Sequence, residues 1–576
     1  MAISPQTHVV LCWHMHQPHY RDALDGDYRL PWVYLHAIKD YADMVAHLEA
    51  FPKARVVVNF APVLLEQLDD YGEQMRGWIR DEIPMRDPLL NLVAGATPIP
   101  PEPELRADII TACQRAFAPT MINRYAPFRE LLDFALQQYI DGDLDTLRIS
   151  YLSTQFFVDL LVWYHLAWLG TSVKQQDERV VRLMSRKNNF TRIDQTLLME
   201  VMAEVVESII PRYQALMEAG QIELSMTPYG HPIIPLMIDF DSMKEALPDA
   251  PMPRSESYPG GLERCRWHME RGREVFKEHF GVYPKGVWLS EGAVSSAALK
   301  LLDEYNVEWT ASGEGVWRGS CDASKLAAPL LEYKKALYRK TEHPPYNCRL
   351  FFRDDGLSDL IGFQYKDWGA SDAAGDFCRH LETISGFFSK EEGDRVITVI
   401  LDGENAWEYY PDNAHHFLQA LYAKLTTHPT LTMATFSDLT KSDDPATEVT
   451  MPVLKAGSWV YGTFSTWIGD RDKNAAWDLL VEAKNCYDRV VQAGSLPDDK
   501  LARATEQLAV CEGSDWFWWF GDQNPSDSVR DFDQLFRRHL VRLYQLLEKI
   551  PPQNLKNPVS HGGGDAENAG TMRRNQ

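Results

Sequence analysis

Two acids stand out because each follows an apolar run that reads as a buried strand. The run Val396-Ile397-Thr398-Val399-Ile400-Leu401 leads into Asp402-Gly403-Glu404-Asn405-Ala406-Trp407, and Gly286-Val287-Trp288-Leu289-Ser290 leads into Glu291. Glycoside hydrolysis needs such a pair: one acid protonates the leaving oxygen, and the other attacks the sugar or activates water. Either acid alone reads equally as the cap of a following helix. Two of them after independent runs make catalysis a competitive reading. Glu404 stands two residues beyond Asp402, on the same side of an extended segment, and a nearby anion raises the pKa of a proton donor. Its neighbour Gly403 also allows a plain surface turn.

Two further apolar runs end in histidines. His8-Val9-Val10-Leu11-Cys12-Trp13 runs into His14-Met15-His16-Gln17-Pro18, and Gln221-Ile222-Glu223-Leu224-Ser225-Met226 into Thr227-Pro228-Tyr229-Gly230-His231. The spacing of His14 and His16 points both imidazoles to one side of an extended strand. Two uses follow: metal binding, as in amidohydrolases whose strand ends also supply a late acid, or hydrogen bonds to substrate hydroxyls. His231 can join either site. The stretch Asp402-Gly403-Glu404-Asn405 lacks the spacing of an EF-hand calcium loop. Trp288, Trp407, Trp459, Trp467 and the run Asp515-Trp516-Phe517-Trp518-Trp519-Phe520 supply flat apolar faces with polar edges, which suit pyranose rings, although domain packing explains most tryptophans.

The elements that must position these residues alternate. After the first run, Arg55-Val56-Val57-Val58-Asn59-Phe60 is a second strand. A long, mostly helical stretch from about 64 to 220 reads as an inserted subdomain or lid. Strands resume at Gln221, Gly286, Val307, Leu350, Leu360, Val396 and Leu431, with helical patterns between them, the clearest from Glu263 to Phe280. That alternation predicts an α/β fold with a parallel sheet or barrel over residues 1–445. From about 446 to 550 the pattern is helical, with helices over Ala475–Ala493 and Val529–Lys549. The polar, Gly/Asn-rich tail from 551 to 576 reads as disordered.

With 576 residues, the chain is too long for one ordinary core. A formal net charge of −24 disfavours nucleic-acid and anionic-membrane surfaces, and leaves neutral substrates open. No apolar stretch approaches the ~20 residues that span a bilayer, and no secretory signal is visible, so a cytoplasmic location is expected. The eight cysteines are scattered without a C-x-x-C pair and read as reduced thiols. Cys12 beside His14 and His16 is a weak metal-like spacing.

Taken together and in order, these residues resemble glycoside hydrolase family 57, most closely its amylopullulanase-like and α-amylase-like members. Trp13-His14-Met15-His16-Gln17-Pro18 is similar to the family's first motif, and Glu223-Leu224 through Tyr229-Gly230-His231-Pro232 to its second. Trp288-Leu289-Ser290-Glu291 is similar to the third, whose Glu is the nucleophile. Leu401-Asp402-Gly403-Glu404-Asn405 is similar to the fourth, whose Asp is the general acid/base. Gly457-Ser458-Trp459 through Trp467-Ile468-Gly469 is similar to the fifth. The resemblance implies a seven-stranded (β/α) barrel followed by a helical bundle. It also implies a retaining double displacement on an α-glucan or maltooligosaccharide. Thr463 departs from the acid or amide such sequences often carry ahead of Trp467. The His16-Gln17-Pro18 form departs from the family's branching enzymes. Neither a metal nor a cofactor is expected. Glucanotransfer by the same site, and an amidohydrolase built on His14 and His16, are the alternatives.

Overall fold

The computed structural model describes residues 6–140, 143–324, 330–388, 393–441 and 447–574. Its strands are β1 (Thr7–Met15), β2 (Val56–Phe60), β3 (Tyr139–Ile140), β4 (Asp143–Leu144), β5 (Ile222–Met226), β6 (Trp309–Gly313), β7 (Lys340–Glu342), β8 (Arg349–Arg353), β9 (Arg395–Asp402), β10 (Leu431–Met433) and β11 (Glu448–Thr450). The fold is mixed α/β, with a sheet dominated by parallel pairs and helices between its strands. β1 and β9 are almost entirely buried, which is why both read as unbroken apolar runs.

β1 is the hub. One edge pairs in parallel with β9 over its whole length, and the other with β10 and then β2. β2 pairs with β5, β8 with β9, and β6 with β8, all in parallel, whereas β7 joins β8 antiparallel. Isolated parallel bridges carry the pairing from Met226 to Val287, and from Gly286 to Trp309.

Two expected strands changed form. Gly286–Ser290 makes only these bridges, because Gly286 lies against the Trp309 indole so closely that a Cβ there would meet the ring at 1.8 Å. Leu360–Phe363 is wound instead into a helical turn, Leu360–Gln364, that continues the helix Asp355–Asp359. Asp354 starts that helix by accepting the Leu357 N–H at 2.8 Å.

Between β2 and β5 the main sheet gains no strand among the described residues. Helices fill the span, from Pro62–Asp81 to Arg192–Glu218, with the small β3–β4 hairpin among them. Proline at the first helical turn starts the former, and a Thr191/Asp194 capping box starts the latter. Past the sheet, the helices Arg471–Ala493, Asp498–Cys511, Asp515–Trp519 and Ser526–Leu546 follow. The expected boundary near 445 lies outside the described residues. No helix among them is long and apolar enough to cross a membrane. All eight cysteines are buried and unpaired.

The tail is a correction. Residues 551–574 are ordered, with turns at Gln553–Lys556 and Glu567–Gly570. Gly563 and Gly564 donate to the Asn524 carbonyl at 3.0 and 3.1 Å. A Cβ on Gly564 would stand 2.2 Å from the Gln523 oxygen. Glycines that read as disorder are there because two backbones touch.

A buried ion pair ties the last helices to the helix Gly261–Phe280. Arg264, on the helix Gly261–Phe280, donates to both carboxylate oxygens of Glu512 at 2.8 Å, and Tyr258 donates to the same carboxylate at 2.5 Å. Although burial works against it, Arg264 with His268 holds the Glu512 carboxyl down at about 2. Removing one partner of such a pair strands the other charge. Glu512→Ala is expected to cost about 3–5 kcal/mol in chemical denaturation at neutral pH. Because the folded pKa is depressed, wild-type stability from this group is present above the unfolded value and lost as pH falls towards about 2. A variant that matched wild type at pH 7 would show that the pair contributes nothing net.

Candidate active site

Asp402, His14, His16, Glu291 and His231 all follow the C-terminal ends of the parallel segments. The register sets His14 opposite Asp402 on one side and opposite Asn59 on the other, and Asn59 opposite Ser225. A row Asp402–His14–Asn59–Ser225 therefore crosses four adjacent strands. In parallel α/β architectures this is the end where catalytic groups collect.

The histidines are wired through this row. The His14 Nδ1 lies 2.7 Å from Asn59 Oδ1, an oxygen that also accepts from Thr227 at 2.8 Å, while Asn59 Nδ2 donates to Ser225 Oγ at 3.0 Å. His14 thus carries its proton on Nδ1 and offers Nε2 as an acceptor, 3.2 Å from His231 Nε2. His231 then donates from Nε2 and accepts from Ser514 Oγ at 2.8 Å on Nδ1. Both rings are neutral: burial pushes His14 down to about 3, and pushes His231 well below its usual range. His16 stacks on His231 with ring centroids 3.8 Å apart, and its Nε2 lies 2.8 Å from Asp515 Oδ1.

Glu291 sits where the backbone is forced into the left-handed region, at φ 59° and ψ 23°. That conformation is held by a loop distant in sequence. The Trp459 backbone N–H donates to the Glu291 carbonyl at 3.1 Å, and its indole N–H to Glu291 Oε2 at 2.9 Å. Val294 and Gly457 exchange both backbone bonds next to it. Gly313, at the end of β6, admits this loop, since a Cβ there would stand 2.7 Å from Trp459 Cα. Arg353, ending β8, places its guanidinium 4.8 Å from the centre of the Trp459 ring.

Glu291 feels the charge of Asp402. Burial, then the charge of Asp402, raises the Glu291 carboxyl to about 8, against the hydrogen bond from Trp459. Burial raises Asp402 to about 6, against a 2.9 Å hydrogen bond from Asn405. Glu404 is buried deeper: burial and the Asp402 charge lift it well above the carboxylate range. Its Oε1 accepts from the His16 backbone N–H at 3.2 Å and from Gln17 at 3.4 Å, whereas Oε2 has no partner among the described residues.

The tryptophans divide. Trp459 touches Glu291, and Trp288 packs edge-on against Trp459 with centroids 5.2 Å apart. Trp288 and Trp467 are buried with indole N–H groups that meet no protein acceptor among the described residues. Trp467 lies near Trp518 at 6.1 Å. Trp407 is different: its N–H is spent on the Gly403 carbonyl at 2.8 Å, and its ring packs against Trp13 and Tyr410. It braces the Asp402–Glu404 turn. Asn59, Arg353 and Ser514 carried no signal of their own in the sequence, and Asp515 was visible only as the head of an aromatic run. His268 acts from behind. It accepts the Gly230 N–H on Nδ1 at 3.1 Å and so donates from Nε2 to Glu512 at 2.8 Å, fixing the turn that presents His231.

His16, His231 and Asp515 bring ligand atoms within 4.8 Å of one another, a donor set that fits a divalent cation. His14 is outside that set. Both ring nitrogens of His231 already have partners, so a cation would displace either the His14 or the Ser514 bond.

Residues 10–452 match the family model described as glycosyl hydrolase family 57. Among solved structures, the chain is similar to a GH57-type branching enzyme from Pyrococcus horikoshii, at 14% identity and TM-score 0.57, covering 99% of each chain. It is similar to the alpha-amylase AmyC from Thermotoga maritima at 13% identity and TM-score 0.55, over 94% of this chain and 93% of that one. It is also similar to a 4-alpha-glucanotransferase from Thermococcus litoralis at 12% identity and TM-score 0.50, over 94% and 60%. At such identities the likeness speaks to fold alone. Among curated proteins, none matches significantly.

If the histidines serve hydrogen bonding, exhaustive chelation should leave turnover unchanged. Elemental analysis showing stoichiometric zinc, with activity lost on its removal and regained on its return, would overturn this.

Proposed function

Since the chain belongs to glycosyl hydrolase family 57, we propose that it is a retaining α-glucan hydrolase, with Glu291 as nucleophile and Asp402 as general acid/base, cleaving α-1,4 linkages. The observation that carries this reading is that Glu291 and Asp402, two acids from separate strand ends, share a mostly buried site in which the charge of Asp402 acts on Glu291. The ring of parallel pairings and bridges reads as a closed seven-stranded (β/α) barrel around them, with the helices after Arg471 as a bundle that closes one wall.

Glu291 attacks the anomeric carbon as Asp402 protonates the departing oxygen, giving a glycosyl-enzyme. Asp402, now ionised, then activates the acceptor. The indole N–H of Trp459 favours the carboxylate form that Glu291 needs. Glu404, kept neutral by burial, holds the strand-end turn without adding a second charge beside Asp402. The unpartnered indole N–H groups of Trp288 and Trp467 offer donors to sugar hydroxyls, whereas His14 and His231 spend both ring nitrogens on protein partners and brace the strand ends. The second reading is 4-α-glucanotransfer, in which a sugar hydroxyl resolves the intermediate. Burial of the site restricts water and favours it to that extent. Cleavage of α-1,6 linkages is tested separately, on pullulan. A cytoplasmic location is part of the proposal.

Incubation with maltooligosaccharides, followed by product sizing, tests the reading. Shorter products with new reducing ends mean hydrolysis, and longer with shorter ones mean transfer. Asp402→Asn should lower kcat by about 10²–10⁴-fold, and Glu291→Gln should do at least as much, with the fold intact. A folded variant with near-normal turnover would remove that residue from its role. The pair holds one proton between about 6 and about 8, resting mainly on Glu291 in the free enzyme, so the reacting arrangement, with Asp402 protonated and Glu291 ionised, is its minority form. Below that window both acids are protonated and no nucleophile remains; above it both are ionised and no acid remains. A bell-shaped kcat/KM with limbs in that range is expected, and a flat profile from pH 5 to 9 would count against the pair.

A further inference from the structure

We propose that the cavity between the Asp22–Leu30 loop and the helix Ser526–Leu546 is a binding site for a small phosphate ester, held at its phosphate by Arg29 and Arg538. The site shares no residue with the strand-end cluster, and the proposal stands independently of the glucan reading.

Helical spacing builds one side of the cavity. Leu535, Arg538, Val541 and Arg542 recur at three- and four-residue steps on the helix Ser526–Leu546, and so share one face. Arg29 from the loop and Leu555 from the turn Gln553–Lys556 add to the lining. The space is about 660 Å³, within the roughly 300–1,000 Å³ of small-molecule sites. Guanidiniums stand beside aliphatic side chains, so the space suits a charged group joined to a carbon body.

The charges here do not cancel. Three guanidiniums converge on one oxygen: Nη2 of Arg29, of Arg538 at 3.2 Å and of Arg542 at 3.1 Å all donate to Asp25 Oδ2. Arg538 and Arg542 also pair with the fully buried Asp22, the latter at 2.8 Å, and Arg29 lies 3.6 Å from it. Three cations thus share two carboxylates. Arg86 and Arg503 add two guanidiniums at the same loop, donating to the Asp25 and Ala23 carbonyls at 2.7 and 2.9 Å, against one further acid, Asp27. Asp531, the acid of the lining, is matched by Arg115 at 2.7 Å. Donors are left over as well. Arg29 Nε is buried without a partner among the described residues, and the Nη1 groups of Arg29 and Arg538 make no hydrogen bond to any of them. Two guanidiniums around one point suit a phosphate, whose three oxygens accept from both, better than a carboxylate, which fills one fork. A membrane headgroup is disfavoured, because a net charge of −24 repels an anionic surface.

Titration calorimetry on the full chain tests this, with inorganic phosphate, glucose 6-phosphate and glucose as probes. Saturable binding of both phosphates is expected, the ester about tenfold the tighter because the aliphatic lining packs on its ring. Glucose at the same concentrations should leave the affinity for the ester unchanged. Arg29→Gln removes the surplus cation yet leaves Asp22 and Asp25 with Arg538 and Arg542, so it should fold. It should weaken both phosphates by about tenfold or more. Val541→Glu breaks no ion pair and sets an anion in the cavity; it should abolish binding of the ester, and it decides the matter if Arg29→Gln does not fold. The proposal is overturned by an absence of saturable binding up to about 10 mM, by affinities unchanged in either folded variant, or by an ester no tighter than inorganic phosphate. None of these readouts is turnover, so each stands whether or not the chain cleaves α-glucans.

Discussion

The register between β1 and its two neighbours is the constraint on which the site depends. Eight consecutive residue pairs lock β1 to β9, ending at His14 opposite Asp402, and four lock it to β2, ending just past His14 and Asn59. Side chains alternate along a strand, so a slip of one residue would turn His14 away and replace it with Met15 or Trp13. Burial on both faces is what forbids the slip, because every residue from Val9 to Trp13 is in the core. The chemistry is thus set by residues that have no chemistry.

A second layer of constraint fixes the side chains that register alone leaves free. Glu291 and His231 both adopt left-handed backbone, uncommon for residues with a Cβ, and both are held there by bonds from the far end of the chain. For Glu291 the holder is Trp459; for His231 it is Ser514, whose N–H donates to the His231 carbonyl at 2.9 Å. The Arg264–Glu512–His268 cluster lies behind the second of these and presses the same helical region against the sheet. Strain at the site and docking of the helices are therefore one problem with one solution.

Much of this was legible. Unbroken apolar runs ending in Asp402, Glu291, His14 and His231 announced the strand ends, because burial on both faces leaves a period-free signature. What stayed hidden was of two kinds. Asn59, Ser514 and Arg353 act through pairings across long stretches of chain, and their types are common in any surface turn. Trp407 read as a sugar platform because an indole offers a flat apolar face, yet its N–H is spent on the Gly403 carbonyl. The Gly286 segment and the 360–364 turn were misread from the same cause: a short apolar run does not say whether it is extended, and a tight approach to Trp309 or an Asp354 cap decides it. The tail was misread because glycine and asparagine serve flexibility and close contact equally well.

The low dielectric that makes the site useful also makes it demanding. Burial strengthens each hydrogen bond to a developing charge, but it lifts Glu291, Asp402 and Glu404 together. Three carboxyls at one strand-end cluster cannot all ionise, so function requires that they be made unequal. The structure does this by location. Glu404 is placed deepest and left with backbone and amide donors too few to hold a charge, Asp402 receives Asn405, and Glu291 receives an indole N–H from Trp459. None of these donors comes from the element that bears Glu291. The proton count of the site is consequently a property of the assembled chain.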